Sequence, residues 1–166
     1  GVLVARQDMP MHLRGLFKAW IAVLIEIEKI KPFDHPTLET AQKLIREGQE
    51  LMDSPSDRTG LIHYLTAESV LLRFLRSRQD SGIDVARANY LLGNAVNLSE
   101  HSMWIARAPF YYESAIRLAP EAPFALKAYA ALQDRLYSEA AIDGRPVDPE
   151  SLFLLDELNE IIEEAQ

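Results

Sequence analysis

The chain has 166 residues, 48% of them hydrophobic and 25% charged, with 7 Gly, 9 Pro and no Cys. That length and balance fit one globular domain rather than a disordered tail, and a chain without thiols has no disulfide framework, no thiolate metal site and no thiol nucleophile. The net charge of −8 is concentrated at the end: residues 146–166 hold Asp148, Glu150, Asp156, Glu157, Glu160, Glu163 and Glu164 with no Lys or Arg, which argues against nucleic acid as a partner.

Taken in chain order, the opening Gly1-Val2-Leu3-Val4 carries no basic start and no small-residue cleavage site, so no leader is legible and the compartment, cytoplasmic or periplasmic, stays open. Leu13, Phe17, Trp20, Leu24 and Ile27 form a broad apolar stripe that predicts a helix over 11–30. Its most apolar run, AWIAVLI at 19–25, is far short of the ~20 residues of a membrane span. Pro32 and Pro36 in KPFDHP stop that helix, and Pro36 suits the first turn of a second one over 36–52.

A third helix over 57–78 is apolar on a wide face (Leu61, Tyr64, Leu65, Leu71, Leu72, Phe74, Leu75), which predicts neighbours on both sides. Arg73, Arg76 and Arg78 cluster near its end, where cations complement the helix dipole. QDSGID is a turn in which Gly82 is expected to be left-handed. A fourth helix over 83–98, a fifth ending at Ala119 and a sixth over 122–140 follow. The loop AIDGRPVDPES then restarts a helix with Asp148 as N-cap and Pro149 as its first residue, turning Leu155, Leu158, Ile162 and Ala165 inward.

The expected fold class is therefore all-α, six or seven antiparallel helices in a single domain over 1–166. Residues 1–35 read as an N-terminal flanking helix, 36–140 as repeat-like helices and 146–166 as an acidic C-terminal capping helix.

Chemistry leaves little trace. His12, His35, His63 and His101 are scattered, and no Glu stands three residues to either side of any of them, so the Glu-x-x-His pattern of a di-iron bundle is absent. There is no glycine-rich phosphate loop and no nucleophile elbow. No catalytic residue, metal ligand or cofactor is assigned, and a non-enzyme is expected.

A spacing recurs: an alanine, three others, a bulky residue, two others, then a small one. It occurs at Ala41/Ile45/Gly48, Ala86/Tyr90/Gly93 and Ala108/Tyr112/Ala115. Small residues let helices approach, and the bulky residue between them fills the groove. With NYLLGNAV at 89–96 and AIRLAP at 115–120, the chain resembles the tetratricopeptide-repeat family, well over 83–140 and loosely over 36–80. Leu92-Gly93 matches the Leu-Gly of a first helix, and Ala108, Tyr112, Ala115 and Pro120 match the Ala, aromatic, Ala and closing Pro of a second.

Two departures stand out. The connection from Gly93 to Ala108 is about three residues too long. Pro109 also requires that the fifth helix start beside it or kink.

The resemblance implies antiparallel hairpins stacked as a short right-handed solenoid, acting as a non-catalytic scaffold whose concave face binds a peptide or a partner helix. On the fourth helix Arg87, Tyr90, Asn94 and Asn97 share the face opposite Ala88, Leu91, Leu92 and Ala95, with Lys127 joining from the sixth. Asn94 matches the Asn of family members that clamp a C-terminal carboxylate, while Tyr90 stands where those members carry Lys.

Two other readings fit the same residues. The chain is similar in general plan to periplasmic TRAP-transporter T-component-like proteins, which would make it a ligand-binding or transport-accessory protein with Trp104 and Tyr111 lining a pocket. Alternatively it is a structural homo-oligomer that buries Ile21, Val23 and Ile25 of the first helix against a copy of itself.

Overall fold

A computed structural model describes residues 10–52, 58–77, 82–99 and 107–166. These form seven helices, α1 (Met11–Ile30), α2 (Leu38–Glu50), α3 (Leu61–Ser77), α4 (Ile83–Ser99), α5 (Ala108–Leu118), α6 (Pro123–Ile142) and α7 (Pro149–Ala165). There is no strand among the described residues, so the fold is all-α, and no described helix is long and apolar enough to cross a membrane.

Local chemistry accounts for most boundaries. Lys31 ends α1 in the left-handed region (φ 44°), its N–H donating to the Ile27 carbonyl. Thr37, not Pro36, begins α2: the Thr40 N–H donates to Thr37 Oγ1 at 3.1 Å, so Pro36 falls just outside the helix. Gly82 is not left-handed. Its carbonyl accepts from Val85 and Ala86 at the start of α4, and the one glycine with positive φ among the described residues is Gly144. α5 starts at Ala108, which puts Pro109 in the first turn, where its missing N–H costs nothing. Asp148 caps α7 as expected, accepting from the Ser151 N–H at 2.9 Å.

The helices pair into three hairpins, α2–α3, α4–α5 and α6–α7, each packed on the next. The first helices also touch one another, α4 lying against both α2 and α6, and α5 lies against α7. α1 stands to one side against α3.

Two hairpins share an interlock. A Cβ on Gly48 would lie 2.7 Å from Tyr64 Cε1, and one on Gly93 would lie 2.5 Å from Tyr112 Cδ1 and Cε1. Each tyrosine ring thus rests on bare backbone of the facing helix. Ala41/Ile45/Gly48 and Ala86/Tyr90/Gly93 are accordingly equivalent first-helix stretches, 45 residues apart. Their partners are Gly60/Tyr64/Ala67, at the start of α3, and Ala108/Tyr112/Ala115 on α5, displaced by 48.

The third hairpin has no such glycine and packs Ala125, Ala128 and Leu132 against Leu155, Leu158 and Ile162. One core runs from α1 to α4 and a second from α4 to α7, and Tyr90 and Tyr111 pack against both.

Candidate functional site

Because α4 is the middle of the three first helices, side chains spaced three and four apart on its outer face meet both neighbours. Arg87 Nη2 donates to Gln42 Oε1 on α2 at 2.8 Å. One turn on, the Tyr90 ring stacks on Phe124 of α6, centroids 5.9 Å apart and planes 16° apart. Asn97 Oδ1 accepts from Arg135 Nη1 on α6 at 3.1 Å, and Arg135 also pairs with Glu139. Asn94 turns to its own hairpin, its Oδ1 accepting from the Tyr112 hydroxyl at 3.1 Å. Burial pushes that phenol well above the usual tyrosine range. Lys127, one turn after Phe124, is exposed.

The structure thus brings Arg87, Tyr90 and Asn97 together with Gln42, Phe124 and Arg135, which the residue pattern alone did not single out. One of these had a readable signal: Gln42 precedes Arg87 by the same 45 residues that separate Gly48 from Gly93. The polar atoms of Arg87, Asn94 and Asn97 are engaged within the chain, while Arg87, Tyr90, Asn94 and Asn97 each keep part of their surface open.

Tyr111 is half-buried between the two cores, in edge contact with the exposed Phe110 ring at 5.5 Å. Trp104 lies outside the described residues.

A separate cavity of about 660 Å³ opens between α1, α2 and α3. Its wall is mainly apolar (Val23, Ile27, Ile30, Leu44), with Glu47 and the His63 imidazole beside them. His63 is 8% exposed, and its Nδ1 has no hydrogen-bond partner. Burial lowers its pKa below the ordinary 6.5, with Glu47 opposing the shift, so the ring is neutral at pH 7. A volume between ~300 and ~1,000 Å³ is typical of small-ligand sites, and the lining here also includes Glu26, Lys43 and Glu50. Tyr111 does not line it.

The acidic last helix is tied to the body through one of its carboxylates. Arg117 of α5 donates to both oxygens of Glu157 at 2.8 and 3.1 Å, and also to Glu113. The Arg117 hydrogen bonds hold the Glu157 carboxyl below its usual range. Among the described residues no group of three or more His, Asp or Glu is placed to hold a metal ion. Comparison with protein-family models, with curated proteins and with solved structures gives no match.

Proposed function

We propose that the chain is a non-catalytic interaction scaffold. In this reading its three hairpins stack as a short right-handed, tetratricopeptide-like solenoid that receives a peptide or partner helix on the face of its first helices. The observation that carries it is the side-by-side placement of α2, α4 and α6, tied across by Arg87–Gln42, Tyr90–Phe124 and Asn97–Arg135. Arginine and tyrosine supply much of the binding energy at interfaces. Side chains already held by their neighbours lose little freedom when a partner arrives. Lys127, exposed on the same run of α6, adds a cation for a carboxylate or backbone carbonyl.

The test is the double variant Arg87→Ala with Lys127→Ala, which removes polar ends from this face and leaves both cores intact. A partner captured by the native chain and identified by mass spectrometry is titrated against both proteins. Helicity is expected to be unchanged and Kd to rise about tenfold or more. Equal affinity would remove this face from the proposal.

The cavity between α1, α2 and α3 favours a second reading, a ligand-binding or transport-accessory protein. Ala22→Trp fills it from the exposed rim. Under this reading the native chain enhances the fluorescence of an anilinonaphthalene sulfonate probe and the variant does not. Equal enhancement by both counts against the cavity as a ligand site.

A further inference from the structure

α1 is 20 residues long, yet Ile27 is its one fully buried residue. Its inner side is held by Ile27, the half-buried Val23 and the Trp20 indole, whose N–H donates to the Arg58 carbonyl at 2.7 Å. Successive helical residues turn by about 100°, so Lys18, Ile21, Ile25 and Glu28, spaced three, four and three, form a different stripe turned from the Trp20–Val23–Ile27 side, with Ile25 at the edge where it also borders the cavity between α1, α2 and α3. All four are exposed, Ile21 at 38% and Ile25 at 50%, and Leu24 beside them is also at 50%. Neither Lys18 nor Glu28 makes an ion pair among the described residues.

The order along this stripe is cation, apolar, apolar, anion, which is its own complement when reversed. We propose that α1 is a self-association surface, through which two copies of the chain pair their α1 helices antiparallel about a twofold axis near Val23. One register pairs both charges: with Lys18 facing the partner's Glu28, Ile21 falls opposite the partner's Ile25, and the two Leu24 side chains lie along the same flank of the seam. A twofold axis repeats each contact, so two Lys–Glu pairs bracket four isoleucines. Parallel pairing would instead set Lys18 on Lys18 and Glu28 on Glu28, and like charges at such spacing repel. The three-and-four spacing is also the one by which two helices keep a seam in contact.

Sedimentation velocity over a concentration series tests the idea. The native chain is expected to pass reversibly from monomer to dimer as concentration rises. Lys18→Glu alone and Glu28→Lys alone each place like charges at both ends of the seam, and each should weaken self-association about tenfold or more. An equimolar mixture of the two restores opposite charges at both ends and should dimerise like the native chain. Ile21→Asp should be monomeric throughout with native helicity. A native chain that stays monomeric at every concentration overturns the proposal. So does a dimer that survives Ile21→Asp, or a mixture that associates no better than its two components.

Discussion

In the α2–α3 hairpin Gly48 lies under the Tyr64 ring and Gly60 lies against the Gly48 carbonyl, whereas in α4–α5 Gly93 lies under Tyr112 and Ala108 stands where Gly60 would be. A Cβ on Gly60 would come within 2.2 Å of the Gly48 carbonyl oxygen, yet the real Cβ of Ala108 is accommodated and fully buried. The two hairpins therefore share a tyrosine-on-glycine contact but not the same separation at their bend. The tyrosine hydroxyls differ too. Tyr64 donates to the Met52 thioether at 3.0 Å, a weak acceptor, while Tyr112 donates to the Asn94 amide oxygen. Where a side chain meets a ring, a rotamer change can relieve the clash; where it meets backbone, the helices themselves must move.

That contrast is broken most severely by Gly60→Ala. Overpacking usually costs about 1–3 kcal/mol, and against an immovable carbonyl the upper end or beyond is expected. The reciprocal Ala108→Gly should cost about 1 kcal/mol, because it adds backbone freedom without a clash. Thermal unfolding of both variants, followed by helicity, measures the difference; equal losses would mean that the two bends are the same after all.

Next in size is Gly93→Ala, at about 2 kcal/mol, since two atoms of the Tyr112 ring lie 2.5 Å from the added carbon. Gly48→Ala, with its nearest ring atom at 2.7 Å, should cost somewhat less by denaturant titration.

A smaller effect separates the hydroxyls. Tyr112→Phe leaves a half-buried amide oxygen short of its donor and should lose about 1 kcal/mol, and Tyr64→Phe only a few tenths. Burial raises the Tyr64 phenol to about 12, so both groups stay protonated through the neutral range.

The subtlest difference is acid sensitivity. His63, beside Tyr64, corresponds to Tyr111 beside Tyr112. Its folded pKa is depressed by burial. Above pH 6.5 the ring is neutral in both states and contributes nothing to the pH dependence. As pH falls below 6.5 the unfolded chain takes up the proton first, so stability is lost from there down to the folded pKa. His63→Gln should flatten the fall in Tm below pH 6.5. An unchanged slope would place the acid sensitivity elsewhere.

Much of this architecture can be read from local pattern. The α7 cap at Asp148 and the inward Leu155, Leu158 and Ile162 follow from capping chemistry and helical period, and the missing proline N–H narrowed α5 to a start beside Pro109 or a kink there, of which the start is found. Other features cannot be read that way. The Gly60/Tyr64/Ala67 stretch has glycine where the recurring spacing has alanine, that glycine precedes the helix, and nothing local says that it faces Gly48. Leu65 looked like part of the apolar face of α3 and is exposed, while His63 and Thr66 are buried. The reason is that α2 and α4 grip α3 from directions that its own periodicity does not specify. The polar stripe on α4 was visible as a candidate binding surface; that its side chains cross to Gln42, Phe124 and Arg135 was not.

The amino-acid sequence by itself determined most helix boundaries to within a few residues and which stripe of most helices is apolar, because capping, proline geometry and the 3.6-residue period act within a few neighbours. The tertiary structure alone decided which small residue sits under which ring. It also decided that α1 is left with an exposed, self-complementary stripe and that α4 is shared between two neighbours. Those outcomes depend on contacts between residues 16 to 45 positions apart, such as Gly48 with Tyr64 and Gln42 with Arg87, and local propensity is blind to them.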